Sequence, residues 1–354
     1  MSERIMVLEG DGIGPEVVGC AIRALEALND AYGLGLEFVK YDVGARSISQ
    51  GEWTVEGVIE EARKFRAILK GPMGDPGIRN RQGTEGGLDL ILALRFSLDL
   101  YANVRPVRLL PGVSSPLRNF SRPDSIDYTL IRENSEGLYA SHFGGMELRD
   151  EVAVDNQIIT RKGVERVSRM AFEIARRGRG SPWDGRKRVL CVEKSNVLRS
   201  FAFFRRVFDE VSADYGDVEA GHMYADAMAQ YMVLHPDRLN VVVTENMFGD
   251  ILSDLGAATV GGLGVAYSAN LNERMGMFEP VHGSAPDIAG KGIANPVAML
   301  LSASMMLDFL SKRDAAVALE SAVIRAMSSG ALTQDLGGHL GSEGFTDKVI
   351  ENMG

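Results

Sequence analysis

Short β-rich runs alternate with helical patterns through the first two thirds of this chain. The runs are Ile5–Leu8, Leu36–Tyr41, Ala67–Leu69, Tyr128–Ile131, Val189–Val192 and Val241–Thr244. Helix-like stretches lie between them, among them Pro15–Tyr32, Val55–Lys64, Lys162–Arg177, Phe201–Tyr215 and Ala225–Leu234. Such alternation predicts an α/β fold with a largely parallel sheet, because parallel strands need helical crossovers. The last third differs: Ala294–Leu310 and Ala315–Met327 read as helices, with few strands. No repeat with a period of about 20–50 residues interrupts the pattern, and there is no low-complexity tract. At roughly 150 residues per domain, 354 residues suggest two domains.

Composition narrows the function. Hydrophobic residues make up 45% and charged residues 24%, which suffices for sizeable cores. The formal charge is −10 and the isoelectric point about 5.2, which argues against a general binder of nucleic acid or anionic membrane. A small anionic substrate stays open, because local arginines can dominate a cleft. Cys20 and Cys191 form no Cys-x-x-Cys pair, so neither a disulfide framework nor a zinc site is expected. The first residues lack the apolar core of a signal peptide. The longest apolar stretch, Val297–Leu310, is too short to span a bilayer. A reducing cytoplasm is therefore expected, and the sequon Asn119-Phe-Ser121 reads as chance. The basic segments Arg176–Gly180 and Gly185–Arg188 read as a solvated connector. His142, His222, His235 and His339 lie in no recognisable motif.

Several segments carry residues suited to chemistry. In Asn246-Met-Phe-Gly-Asp-Ile-Leu-Ser-Asp254, Asp250 and Asp254 are four apart, hence on one face of a helix. Like charges there repel, and a hard divalent cation such as Mg²⁺ or Mn²⁺ removes the cost. The plain alternative is a solvated helix face. Three strand-like runs lead into charged residues: Arg132, Lys194 and Asp250. Ligands in open α/β sheets gather at the carboxyl ends of strands. Arginine forks bind carboxylates in bidentate fashion, so Arg95, Arg105 and Arg132 could together hold a substrate with two carboxylates, or could be surface residues. Gly10-Asp-Gly-Ile-Gly14 follows the first strand, but its spacing is not that of the dinucleotide fingerprint. Met277–Pro296 is rich in small residues, with His282 and Asp287; it could lie against a nucleotide or be a structural turn. Glycines also cluster in Gly71–Gly87 and Gly261–Gly264, as expected of conformationally special loops.

Taken together, these segments resemble the β-decarboxylating dehydrogenases, the family of isocitrate, isopropylmalate, homoisocitrate, tartrate and D-malate dehydrogenases. The likeness runs nearly end to end, from Gly10-Asp-Gly-Ile-Gly-Pro-Glu16 to the C-terminal helices, with Asn246–Asp254 and Phe278–Pro296 its strongest parts. It implies two subdomains that flank a cleft and share a large mixed sheet, and not a standard Rossmann fold. Residues 1–100 plus 257–354 would form the large, cofactor-binding domain. Residues 101–256 would form the small domain, with the dimer interface and metal site. The resemblance also implies an NAD-dependent, metal-dependent oxidative decarboxylase of a (2R)-malate-type acid, working as a homodimer or larger assembly with shared active sites. A binding protein or a metal-dependent hydrolase could use the aspartates and arginines. It would have no need of Tyr139, Lys194 and the 278–296 loop together.

Residue by residue, the resemblance implies that Arg95, Arg105 and Arg132 hold the carboxylates. Tyr139, in Arg132-Glu-Asn-Ser-Glu-Gly-Leu-Tyr139, would protonate the enol carbon. Lys194, in Glu193-Lys-Ser-Asn196, would assist removal of the hydroxyl proton from across the subunit interface. Asp250 and Asp254, with Asp226 of the neighbouring subunit, would bind Mg²⁺ or Mn²⁺, which lowers the hydroxyl pKa and stabilises the enolate left by CO₂. His282, Gly283, Ser284, Ala285, Pro286, Asp287 and Asn295 would bind NAD, with Asp287 on the adenosine ribose.

The substrate's 3-substituent is the open variable. In this family it faces the helix before Arg95, here Gly87-Leu-Asp-Leu-Ile-Leu-Ala-Leu-Arg95. Leu88, Ile91 and Leu92 fall at i, i+3 and i+4, an aliphatic face with no serine or arginine for an extra carboxylate. The expectation is 3-isopropylmalate or another 3-alkylmalate. D-malate or tartrate is the runner-up, since Arg105–Val113 and Ser268–Asn272 are similar to those enzymes, and homoisocitrate follows.

Overall fold

The computed structural model describes residues 2–79 and 85–353; residues 80–84, inside the glycine-rich Gly71–Gly87 stretch, lie outside the described residues. The fold is mixed α/β. It divides into two compact units, one of residues 1–100, 110–114 and 261–354, the other of residues 101–109 and 115–260.

The first unit opens with β1 (Glu3–Leu8), α1 (Gly14–Tyr32), β2 (Leu36–Tyr41), α2 (Ala45–Ser49), α3 (Val55–Ala62) and β3 (Ala67–Lys70). The short strands β4 (Asp75–Arg79) and β5 (Glu85–Gly86) pair with each other, and α4 (Leu88–Ser97) follows. In the second unit come β6 (Ala102–Arg108), β7 (Asp127–Glu133), the hairpin β8 (Met146–Leu148) and β9 (Val152–Val154), and α5 (Arg161–Arg177). Its remaining elements are β10 (Arg188–Glu193), α6 (Arg199–Ser212), β11 (Glu219–Tyr224), α7 (Ala225–Leu234), β12 (Val241–Thr244) and α8 (Asn246–Thr259). The chain then returns to the first unit with β13 (Tyr267–Leu271), β14 (Gly276–Pro280), α9 (Val297–Phe309), α10 (Arg313–Ser328) and α11 (Ser342–Glu351).

In the first unit the strand order is β13-β14-β3-β1-β2, parallel except for β13 against β14. Ile5 through Leu8 and Ala67 through Leu69 are wholly buried, as expected of central parallel strands covered on both faces. Against them pack Val58, Leu90, Leu94, Leu98 and Leu100. The helix α1 starts with Pro15 in its first turn and stops at Gly33, whose left-handed φ of 61° lets its N–H cap Asn29 O. Because α9 is buried on almost every side, its apolar run belongs to the core. No helix among the described residues is long and apolar enough to cross a membrane.

The second unit has the order β11-β10-β12-β7-β6. Neighbours are parallel from β11 to β7, and β6 runs antiparallel to β7. The parallel trio β10, β12 and β7 therefore ends on one edge, which carries Arg132, the turn into Lys194 and the start of α8. Its core is built from α5 and α6, with Val167, Phe172, Phe204 and Phe208 on the sheet residues Ile131, Cys191 and Val243. Thr160 caps α5 by accepting the Gly163 N–H at 3.0 Å, and both cysteines are buried free thiols.

Candidate active site

In the second unit, α8 begins where β12 ends, and Glu245 is its cap. The buried Glu245 carboxylate accepts the N–H groups of Met247 at 3.1 Å and Phe248 at 3.3 Å, and also that of Leu138 at 3.4 Å. One side chain thus fixes both the helix and the segment leading into Tyr139. One turn further, Gly249 lets α8 lie directly on Arg132, since a Cβ there would sit 2.6 Å from the arginine's Cβ and Cγ.

Asp250 is the centre of this edge. It accepts a hydrogen bond from Arg132 Nη1 and another from the Tyr139 hydroxyl at 2.8 Å, and Arg105 Nη2 lies 3.6 Å away. Arg105 also reaches Asp254 at 3.3 Å and donates to Ser253 at 2.6 Å and Asn103 at 2.6 Å. Arg132 is almost wholly buried; its Nε donates to Asn246 Oδ1 at 2.8 Å, and Asn246 in turn donates to Glu136 O at 2.9 Å. The Tyr139 ring lies beneath the Arg132 guanidinium, 5.2 Å from its centroid. Burial, the hydrogen bond to Asp250 and that aspartate's charge push the Tyr139 hydroxyl up to about 12. The phenol therefore keeps its proton at neutral pH.

Lys194 and Asp226 meet each other in the same unit, Nζ to Oδ1 at 2.5 Å, and the lysine holds the Asp226 carboxyl below its ordinary range. Among the described residues, no three His, Cys, Asp or Glu side chains of one chain gather as a metal cage. Asp250 with Asp254, and Lys194 with Asp226, are thus two separate arrangements within a single chain.

The remaining candidates belong to the first unit. Arg95 is buried in α4, with Nη2 3.0 Å from Glu279 Oε1. Glu279 also takes Lys70 at 2.6 Å and Asn270 Nδ2 at 2.7 Å. Burial alone would raise the Glu279 carboxyl, but the Lys70 and Arg95 charges outweigh it and bring it down to about 2. Two cations against one anion leave a positive charge in excess. Arg95 Nε is buried without a hydrogen-bond partner among the described residues. On α4 the core side is Leu90, Ala93 and Leu94; Leu88 is 42% exposed, Leu92 is half-buried, and Ile91 leans on the core.

His282 Nδ1 lies 3.0 Å from Gly283 O, while its Nε2 is buried and meets no partner among the described residues. Ser284 is buried, Ala285 adopts a left-handed φ of 40°, and Pro286 and Asp287 are exposed. Asn295 is buried and donates to Asp335 at 2.9 Å. This loop offers an orphaned ring nitrogen and an open carboxylate close in sequence, which suits a nucleotide with ribose hydroxyls.

Sequence reasoning did not single out Glu245, Asn246, Lys70 or Glu279. A signal existed for Lys70, a lysine closing an otherwise apolar strand.

A family model described as isocitrate/isopropylmalate dehydrogenase matches residues 4–353. A Methanocaldococcus jannaschii protein named 3-isopropylmalate/3-methylmalate dehydrogenase is 42% identical over 352 residues, 99% of this chain and 98% of its own length. The 3-isopropylmalate dehydrogenase of Thermobifida fusca is 44% identical over 90% of each chain. Among solved structures, isocitrate dehydrogenase from Methylococcus capsulatus superposes with a TM-score of 0.85 at 36% identity, covering 99% of both chains. The TT0538 protein of Thermus thermophilus gives 0.86 at 38% identity, covering all of this chain and 68% of that one.

Proposed function

This chain belongs to the isocitrate/isopropylmalate dehydrogenase family and is an oxidoreductase of that type, and from that premise we propose that it oxidises and decarboxylates a 3-alkylmalate, 3-isopropylmalate foremost, with NAD⁺ and a divalent metal ion. The observation that carries the substrate assignment is on α4. Leu88, Leu92 and Arg95 recur at i, i+4 and i+7, so two exposed or half-exposed aliphatic side chains share a helix face with a carboxylate-binding arginine. A substrate alkyl group gains ~0.8 kcal/mol per buried CH₂ there, whereas a third carboxylate would lack a partner at a cost of several kcal/mol. The substrates in the relatives' names, 3-isopropylmalate and 3-methylmalate, are of the same chemical kind.

The pair of carboxylates suits a hard divalent metal ion. In the second unit Asp250 and Asp254 are matched by Arg105 and Arg132. A divalent cation held by the aspartates would let Arg105 and Arg132 turn toward substrate carboxylates; Arg95, in the first unit, offers a further guanidinium. Asp250 and Asp254 would hold that cation, which would supply Lewis-acid polarisation at the substrate's oxygens. Lys194 assists loss of the hydroxyl proton. Tyr139, held protonated, donates to the enol carbon once CO₂ has left. His282, Gly283, Ser284, Ala285, Pro286, Asp287 and Asn295 would hold NAD⁺, which would supply the hydride acceptor.

We assign the metal's third carboxylate, Asp226, and the base Lys194 to the neighbouring subunit of a homodimer. The support is that these two pair with each other within the chain, while Val197, Leu234 and Ile251, on or beside the same elements, are strongly exposed. The buried free thiols fit a reducing cytoplasm. The test is direct: purified protein with NAD⁺, Mn²⁺ and 3-isopropylmalate releases NADH and CO₂ in equal amounts. NADH without CO₂, or no reduction of NAD⁺ at all, would contradict the proposal.

A further inference from the structure

Gly10-Asp-Gly-Ile-Gly14 joins β1 to α1 where a dinucleotide fold would place its phosphate turn, yet protein backbone already occupies its glycines. A Cβ on Gly10 would lie 2.1 Å from Pro72 O, one on Gly12 2.0 Å from Ser284 O, and one on Gly14 2.1 Å from Glu9 O. These glycines admit neighbouring chain segments rather than a pyrophosphate.

The side chain in the middle of the turn links those segments. Both oxygens of Asp11 accept the Ala45 N–H, at 3.0 and 2.9 Å, at the start of α2. Asp11 Oδ2 also accepts the Gly74 N–H at 2.9 Å, and the Asp11 N–H donates to Pro72 O at 2.9 Å. The other side of the Gly74 peptide continues the chain of bonds, because Ser284 Oγ donates to Gly74 O at 2.6 Å. From the turn itself, the Ile13 N–H donates to Ser284 O at 2.8 Å. Ser284 is therefore held twice, once through Gly74 and once through Ile13, and both routes begin at Asp11 or beside it. Two residues before it is His282, and three residues after it is Asp287.

We propose that Asp11 is a positioning residue for the cofactor: it touches no ligand, and it sets the place of the 282–287 loop by locking the turn, Gly74 and α2 around Ser284. The proposal rests on the reading that this loop binds NAD⁺. A carboxylate suits the task because it accepts all three N–H contacts with charge-assisted strength. An amide in its place would turn an NH₂ group toward a backbone N–H and leave a donor unsatisfied.

The experiment is an NADH-binding titration, which needs no substrate, on wild type, Asp11→Asn and Asp287→Ala, followed by steady-state kinetics. Asp11→Asn is expected to weaken NADH binding and raise the KM for NAD⁺ about tenfold, the effect of one unsatisfied buried donor. The KM for the hydroxy acid, and kcat at saturating NAD⁺, are expected to stay within about threefold of wild type. A merely structural role would lower the melting temperature and leave the NAD⁺ constants unmoved, and that result overturns the proposal. So does a common loss in kcat and both KM values. Asp287→Ala separates the two layers. If it leaves NADH binding intact, the loop reading fails and the positioning role with it; if it weakens binding while Asp11→Asn does not, only the positioning role fails. Should Asp11→Asn not fold, Ala45→Pro serves. Proline is at home in a first helical turn, and Gly44 before it is already extended. The change removes the N–H that both Asp11 oxygens accept and should shift the NAD⁺ constants in the same direction; unchanged constants overturn the proposal.

Discussion

Tyr139 donates its hydroxyl to Asp250 under the Arg132 guanidinium, and its pKa is pushed up to about 12. A phenol so held is a proton source near neutrality rather than a base. Tyr139→Phe is therefore expected to slow protonation of the enol by ~10²–10⁴-fold, with hydride transfer less affected. Single-turnover measurements of NADH formation and of the final keto acid separate the two steps; a variant within threefold of wild type in both would refute the role. Asp287 is exposed in the loop whose His282 Nε2 is buried with no partner among the described residues. Its carboxylate can accept both ribose hydroxyls of NAD⁺, and it would repel the 2′-phosphate of NADP⁺. A preference for NAD⁺ of at least ~10²-fold in kcat/KM follows from lost hydrogen bonds plus repulsion. Equal efficiency with the two cofactors would overturn this. Both residues were legible in the sequence because each lies in a contiguous motif. Glu279 was not, since its role lies in its pairing with Lys70 and Arg95, both far from it along the chain.

At the scale of elements, α8 joins the metal reading to the arginines. Asp250→Asn removes the carboxylate that receives Arg105, Arg132 and Tyr139. Activity should fall at least ~10²-fold, because Lewis-acid stabilisation of this kind supplies several kcal/mol. Mn²⁺ binding followed by electron paramagnetic resonance should weaken in parallel. Full turnover of the wild type in excess chelator would contradict the assignment. The end of β7 carries a different prediction. Glu133 is buried, and it accepts from the Ser135 hydroxyl at 2.6 Å and the Glu136 N–H at 2.8 Å, with Arg166 at 4.0 Å. Burial, with the Glu136 charge adding to it, outweighs these donors and raises the carboxyl to about 7. The folded state thus holds a proton that the unfolded chain gives up near 4.5. This contribution to stability is whole below pH 4.5 and is lost as the pH rises toward 7 and beyond, by up to about 3 kcal/mol. Melting temperatures of wild type and Glu133→Gln should diverge between pH 5 and 8, the wild type losing ground. A constant difference across that range would show that Glu133 is ionised throughout. Helical spacing made α8 readable, because Asp250 and Asp254 announce their shared face. Strands β6, β13 and β14 were hidden by composition: Arg105, Pro106 and Arg108 in the first, Ser268 and Asn270 in the second, Glu279 and Pro280 in the third look like loop residues. They are strand residues because partners elsewhere satisfy them, as Glu279 O accepts from both Ser268 Oγ and Ser302 Oγ.

For the whole molecule, the alternation of strands and helices sufficed to give the α/β class. The chain's return to its first unit after α8 came from the family likeness and not from periodicity. One unit holds Arg105, Arg132, Tyr139, Lys194 and the aspartates, the other Arg95, the 282–287 loop and the aliphatic face of α4. That face is the feature of the first unit least fixed by helical spacing. Leu88, Ile91 and Leu92 share a stripe, but core packing draws Ile91 inward and leaves Leu88 and Leu92 toward the open side. Preference for a 3-alkylmalate depends on what those two leucines meet. It is read in kcat/KM with NAD⁺ and Mn²⁺ across 3-isopropylmalate, D-malate, tartrate, homoisocitrate and isocitrate. The predicted order places 3-isopropylmalate first and isocitrate among the poorest. Isocitrate in first place would show that these leucines do not face the substrate's 3-substituent.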